Sequence, residues 1–161
     1  MLVRLLSFFL AFSSLSFINF PAFGGSPGCL VPPQMFLNQK LAFWQQRLDL
    51  SDWQISILLS HSRDLKPGTL GNVHWDSEKK TAVIRVLSPN EYHASCHSAL
   101  DDMEVTLVHE LVHLELSSLP RPQASRGEEE RAVNRITDAL LKMETAESGA
   151  PDVASAVQGT R

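Results

Sequence analysis

The chain has 161 residues, a formal net charge of −4 and 43% hydrophobic residues. This length and hydrophobic content are typical of one globular domain with short tails. The acidic balance and the lack of a basic patch argue against a nucleic-acid-binding protein. Two cysteines, Cys29 and Cys96, do not make a disulfide framework, although they could form one bridge in an exported protein and stay as thiols otherwise.

The N-terminal residues 1–24 have the pattern of a signal peptide. Arg4 gives a positive start, an apolar run with serines follows, and small residues precede a possible cleavage after Gly24. The run is too short and too polar for a confident membrane span, so no stable membrane association is expected after signal removal. Residues 25–34 are rich in Gly and Pro and predict a linker. An extracytoplasmic or secreted protein is expected, or a cytoplasmic one if the true start is near Met35.

The folded domain is predicted between residues 35 and 144, and it opens with an amphipathic helix over Phe36–Leu48. Trp53–Ser60 alternates apolar and polar residues, which is typical of a strand with one buried face. Thr69–Trp75 and Thr81–Leu87 flank a polar turn and predict a β-hairpin. An antiparallel or mixed sheet is expected, and a free edge of it could bind an extended peptide by strand addition.

Two features near the sheet have more than one interpretation. Gly71 marks either a bulge or a close backbone approach. Ser88–Ala99 is predicted to be a loop, and its His93-x-x-Cys96-His97 pattern could be mistaken for a metal site, although no partner cluster occurs elsewhere. The favoured interpretation is a loop beside a cleft, from which Tyr92 could hydrogen-bond a transition-state oxyanion.

The most informative stretch is His109-Glu110-Leu-Val-His113, an H-E-x-x-H motif in an apolar run. The run predicts a buried helix from Asp101-Asp102 to about Ser117. Residues four apart share a helix face, so both imidazoles can reach one metal ion. Glu110 then lies where the general base of a metallohydrolase is needed. Two core histidines with hydrogen-bonded neighbours are the less favoured interpretation.

If a residue after the motif supplies the third ligand, it must be a carboxylate, because no histidine follows His113. Three glutamates open a helix that starts at Ser125 and has an apolar stripe of Val133, Ile136, Leu140 and Met143. Glu128 is largely explained as part of a capping box with Ser125. Glu130 is preferred over Glu129, because Asn134 lies one turn further on and could orient a ligand histidine. Residues 145–161 are predicted to be a disordered tail.

The motif together with Glu130-Arg-Ala-Val-Asn134 resembles the small gluzincins, in particular the ImmA/IrrE-type metallopeptidases. The resemblance covers roughly residues 36–143. It departs from that group in having Val133 before the asparagine, a signal-like N-terminus and no helix-turn-helix partner domain. It implies an α+β, minimal zincin-like domain in which a helix and a small sheet precede the motif helix and the glutamate helix.

The predicted function is zinc-dependent hydrolysis of peptide bonds in a peptide or protein substrate. His109, His113 and Glu130 are the predicted Zn²⁺ ligands, and Glu110 is the predicted general base. Two alternatives stay open: a regulatory zincin that binds metal without catalysis, and a peptide-binding module built on the sheet edge. The sequence gives neither the cleavage specificity nor the oligomeric state.

Overall fold

The computed structural model describes residues 29–119 and 126–149. Within these ranges the chain forms three α-helices and a three-stranded sheet. The helices are α1 (Pro33–Arg47), α2 (Cys96–Glu115) and α3 (Arg126–Gly149), and the strands are β1 (Gln54–Ser60), β2 (Gly71–Asp76) and β3 (Thr81–Leu87). The predicted α+β class is confirmed, while the predicted signal peptide, residues 1–24, lies outside the described residues.

The sheet is mixed and has the strand order β1-β3-β2. β2 and β3 form the predicted antiparallel hairpin, in which Gly71 lies opposite Val86. β1 pairs with the other side of β3 in parallel, and Ile57 lies opposite Ile84. Leu58, which breaks the alternation of β1, is 47% exposed on the uncovered face. Within the described residues β2 is therefore an edge strand, and it contacts α2.

The core lies between the sheet and the helices α1 and α2. The largest fully buried side chains are those of Trp44, Leu37, Leu50, Ile84, Met103, Leu107, Leu111, Leu114, Val86, Val108 and Val133. Each such side chain contributes about 1.5–3 kcal/mol relative to an exposed one. Trp44 Nε1 also donates a hydrogen bond of 2.8 Å to Glu104 Oε1, which joins α1 to α2. Among the described helices, none combines the length and apolar character needed to span a bilayer.

Two helix starts differ from the prediction. α1 begins at Pro33, inside the predicted linker, because the fixed φ and missing N–H of proline suit the first turn of a helix. α2 begins at Cys96, so the prediction of a loop over Ser88–Ala99 and a helix start at Asp101 is wrong. The cap is Ser95, whose Oγ accepts a hydrogen bond of 3.3 Å from the backbone N–H of Ser98.

α3 is longer than predicted, since it continues to Gly149 and thus into the predicted tail, residues 145–161. Ion pairs with α1 hold this extension: Glu144 lies 3.7 Å from Lys40, and Glu147 pairs with Arg47. An ion pair between distant residues leaves no periodic signal in the sequence. This explains why the predicted end of α3 comes too early in the chain.

The face of α3 that meets α2 also differs in part from the predicted stripe. Val133 is fully buried and Leu140 is partly buried, as predicted. Ile136 and Met143, however, are 39% and 58% exposed, and Thr137 is buried in their place. Val133 and Thr137 lie one turn apart, so the helix is rotated towards a neighbouring row of side chains.

Candidate metal centre

Two histidines of α2 and one glutamate of α3 converge in the structure. His109 Nε2 and His113 Nε2 are 3.1 Å apart, and each is 3.5 Å from Glu130 Oε2. One ligand atom from each residue lies within 4.8 Å of the others. The group could hold a metal ion. Its chemistry, two imidazole nitrogens and one carboxylate oxygen, matches the donor set of many catalytic zinc sites.

The histidines have further partners beyond this convergence. Glu129 Oε1 lies 3.1 Å from His113 Nδ1, on the side of the ring away from Glu130. The side chain of Asn134 lies beside the ring of His109 and favours its protonated form. Contacts of this kind fix the orientation of a metal-binding imidazole and the nitrogen that carries its proton. The structure thus brings Glu130 to the two Nε2 atoms and gives Glu129 a different position, at the back of His113.

The protonation of His109 is set mainly by its surroundings in the protein. Burial and then the nearby His113 lower the pKa of His109, while Glu130 and Asn134 act in the opposite direction. A lowered pKa favours the neutral imidazole, which is the form that binds metal ions. The site therefore favours the ligand form of His109 at neutral pH.

Glu110 lies beside the convergence rather than within it. Its side chain is buried between α2 and β2, near the backbone N–H of Val73. Burial, followed by repulsion from Glu130, raises the pKa of Glu110 to about 7, against the opposing effects of Val73 and Lys66. A carboxyl group with a pKa near neutrality can both accept and release a proton under physiological conditions.

Gly71 of β2 allows this close approach of strand and helix. A Cβ atom at Gly71 would lie 2.5 Å from Thr106 Cγ2, 2.7 Å from the carbonyl oxygen of Arg85 and 3.4 Å from Glu110 Oε1. The first two distances are too short for any side chain. Of the two interpretations of Gly71, the close backbone approach is therefore confirmed.

A cavity of about 780 Å³ opens over these residues. It is lined by the metal-binding group, by Glu110 and by Asn134, and on the opposite side by β2 and the turn before it. The apolar side chains of Leu70 and Val105, each 45% exposed, also face it. Sequence reasoning missed Lys66 and Arg126, which line the same cavity but belong to no motif.

Other residues singled out in the sequence lie elsewhere. Cys96 forms a disulfide with Cys29, so it is not available as a thiolate ligand, and the described residues contain no metal-binding group around His93 and His97. Within the described chain, Tyr92 does not line the cavity. Burial raises the pKa of Tyr92 to about 12, despite the hydroxyl of Thr106 beside it. Ser125 of the predicted capping box lies outside the described residues.

The disulfide ties the chain before α1 to the first residue of α2. It joins residues 67 positions apart, with a Cα–Cα distance of 5.5 Å. The helix that carries both histidines is thus fixed covalently at its N-terminus.

Comparisons with known proteins identify no relative. No protein-family model, curated protein or solved structure matches the chain. The resemblance to small gluzincins therefore stays a prediction from the motif and the spacing of Glu130 and Asn134.

Proposed function

We propose that the protein is a zinc-dependent metallopeptidase of the gluzincin type. The observation that carries this proposal is the convergence of His109, His113 and Glu130. Glu110 is buried on α2, the helix that also carries both histidines. Zinc in such a donor set lowers the pKa of water and polarises a carbonyl group. The identity of the metal is part of the proposal, because the donor set also suits other transition metals.

The chain's own residues would transfer the protons and hold the ligand histidines in place. Glu110 takes a proton from the attacking water and later delivers it to the leaving amine, a role that suits a carboxyl pKa of about 7. Glu129 and Asn134 hold the rings of His113 and His109 in the orientation that the ligand nitrogens require. The walls of α2 and β2 shield most of the Glu110 side chain from bulk solvent, which keeps its carboxylate in a weakly solvated environment.

We also propose that the protein acts in an oxidising, extracytoplasmic compartment. The Cys29–Cys96 disulfide supports this location, because protein disulfides persist mainly in exported proteins. The signal-like composition of residues 1–24 points in the same direction.

Metal analysis and one isosteric substitution test the proposed function. Purified wild-type protein should contain about one zinc ion per chain. Glu110→Gln should keep the zinc and lower peptide hydrolysis by about 10²–10⁴-fold, because only the base is removed. Glu115→Gln is the matched control, since Glu115 is an exposed glutamate of the same helix.

Two results would contradict parts of this proposal. Wild-type protein that contains no metal and cannot be reconstituted with zinc would exclude the metal site altogether. Normal zinc content without cleavage of any member of a broad peptide library would exclude the peptidase and favour a regulatory metal-binding protein.

A further inference from the structure

We propose that the preferred substrates carry acidic side chains close to the cleaved bond, and that Lys66 and Arg126 recognise them. This inference rests on the proposed peptidase function and adds a substrate class to it. Both residues line the cavity of the metal centre, and they come from different parts of the fold. Lys66 precedes β2, whereas Arg126 is the first residue of α3.

The backbone of Lys66 is held in a defined position at the edge of the cavity. The preceding residue, Leu65, is buried, and Lys66 begins a turn in which the N–H of Thr69 donates to the Lys66 carbonyl oxygen at 3.1 Å. Pro67 and Gly68, with φ 79° at the glycine, occupy the centre of this turn, a combination typical of type II turns. The hydroxyl of Thr69 donates a second hydrogen bond of 2.9 Å to the same oxygen. A rigid turn thus presents an exposed ammonium group to the cavity.

The side chain of Lys66 lines the same cavity as Glu110 and the metal-binding group. Within the described residues no ion pair shorter than 4.0 Å holds the ammonium group. A carboxylate on a substrate that enters the cavity would meet this cation near the proposed base.

Arg126 comes from a different part of the fold. It is exposed at the start of α3, one turn before Glu129 and Glu130, and it lines the cavity. A cation in the first turn is unfavourable for the helix dipole. Its five donors in a planar fork are suited to bidentate binding of a carboxylate.

The carboxylates that line the cavity already have partners. Glu110 is buried against β2, Glu129 contacts His113, and Glu130 faces both histidines. Two cations and three carboxylates line the cavity, so the sum of their formal charges is negative. A bound divalent ion would make the total formal charge positive. The whole chain carries −4, so a positive cavity would be a local feature that attracts acidic segments.

Cleavage of a complex peptide mixture tests the inference without a known substrate. The full-length protein should cut preferentially where Asp or Glu lies within a few residues of the cleaved bond, as read by mass spectrometry. Lys66→Met and Arg126→Met should each lower the preference for glutamate over glutamine by about threefold to fivefold. The loss should fall on KM with kcat nearly unchanged, and the preference should weaken at high salt. Arg63→Met and Arg135→Met are the controls, because both remove exposed cations that do not line the cavity.

A binding measurement separates this inference from the proposed function. Zinc-loaded Glu110→Gln protein is titrated with a dye-labelled glutamate-rich peptide and with its glutamine twin, and the Lys66 and Arg126 substitutions are then added. Cleavage without any acidic preference would overturn the inference and leave the peptidase intact. Tighter binding of the glutamate peptide that depends on Lys66 and Arg126, together with no cleavage of any peptide by the zinc-loaded wild type, would support the recognition and overturn the peptidase. Equal binding of both peptides would overturn the recognition in either case.

Discussion

The two helices that form the metal centre are supported very differently. α2 carries both histidines and packs against α1, α3 and two strands, and its side chains Met103, Leu107 and Leu111 are fully buried. α3 carries Glu130, and in its described part Val133 is the one fully buried apolar side chain. The ligand side chains follow the same division, since Glu130 is 45% exposed whereas His113 is 13% exposed.

The site therefore has two halves. We call His109 and His113 on α2 the preformed half, and Glu130 on α3 the docked half. The histidines are fixed by the core that folds the domain, so they should keep their positions without metal. Glu130 lies on a helix with one fully buried apolar side chain in its described part, so a bound ion would itself help to hold α3 against α2. Because metal binding to the folded state adds stability, zinc should raise the melting temperature mainly by stabilising α3.

The largest effect is expected from removal of the ligands themselves. His113→Ala should abolish zinc binding, because it removes a ligand from the preformed half. Glu130→Ala should weaken zinc binding strongly but leave the two histidines in place, and Glu129→Ala should cost about 10–100-fold through the freed ring of His113. Competition with a chelating dye measures all three affinities. A larger loss in Glu129→Ala than in Glu130→Ala would exchange the roles of the two glutamates.

The preformed half was the more predictable from the sequence. The apolar run around His109 and His113 predicts a buried helix, and the four-residue spacing predicts that both rings share a face. The hairpin was predictable for a similar reason, because alternation is a local signal, whereas Gly71 left a bulge and a close approach as equal interpretations. The start of α2 was not predictable in this way, since Ser95 caps the helix several residues before its acidic segment.

The docked half was harder to predict, because its position depends on contacts between distant residues. The spacing to Asn134 favoured Glu130 over Glu129, but it could not show that Glu129 lies behind His113. The apolar residues of α3 allow two neighbouring stripes, and only packing on α2 decides that Thr137 is buried and Ile136 exposed. Lys66 carries no sequence signal at all, because a turn and a sheet edge bring it to the cavity.

The next largest effect concerns the covalent anchor of the preformed half. The double substitution Cys29→Ser and Cys96→Ser should lower the free energy of unfolding by about 2–4 kcal/mol, since the disulfide closes a long loop. Urea denaturation of the oxidised wild type, the reduced wild type and the double variant measures the change. Reduced wild type should match the variant, and an unchanged midpoint in both would contradict an anchoring role for the bond.

A smaller effect is expected where β2 meets α2. Gly71→Ala should destabilise the protein by about 1–3 kcal/mol, because the added methyl group would collide with Thr106 and with the carbonyl group of Arg85. Gly127→Ala in α3 is the matched control, since its Cβ would meet only Arg131 Nη1 at 3.9 Å. Gly127 lies in the first turn of α3 and has open space around it, so the control should change the stability by less than about 1 kcal/mol. Thermal unfolding compares the two, and equal effects would mean that β2 can move away from α2 without cost.

The smallest effects should come from the ion pairs that tie α3 to the rest of the domain. Lys40 Nζ lies 2.9 Å from Glu104 of α2 and 3.7 Å from Glu144 of α3, so one ammonium group of α1 bridges both helices. Lys40→Met would leave these two carboxylates without their shared cation and should cost about 1 kcal/mol. Arg47→Met removes a more exposed pair with Glu147 and should cost about 0.2–0.5 kcal/mol.

Hydrogen exchange decides whether these two losses act on the docked half alone. In Lys40→Met the amides of α3 should exchange faster, while those in the central turns of α2 should keep the protection of the wild type, because the core around Leu107 and Leu111 is unchanged. Zinc should restore much of the lost protection in α3 through Glu130. Equal acceleration in α2 and α3 would show that the two helices unfold together, and the division into a preformed and a docked half would then not hold.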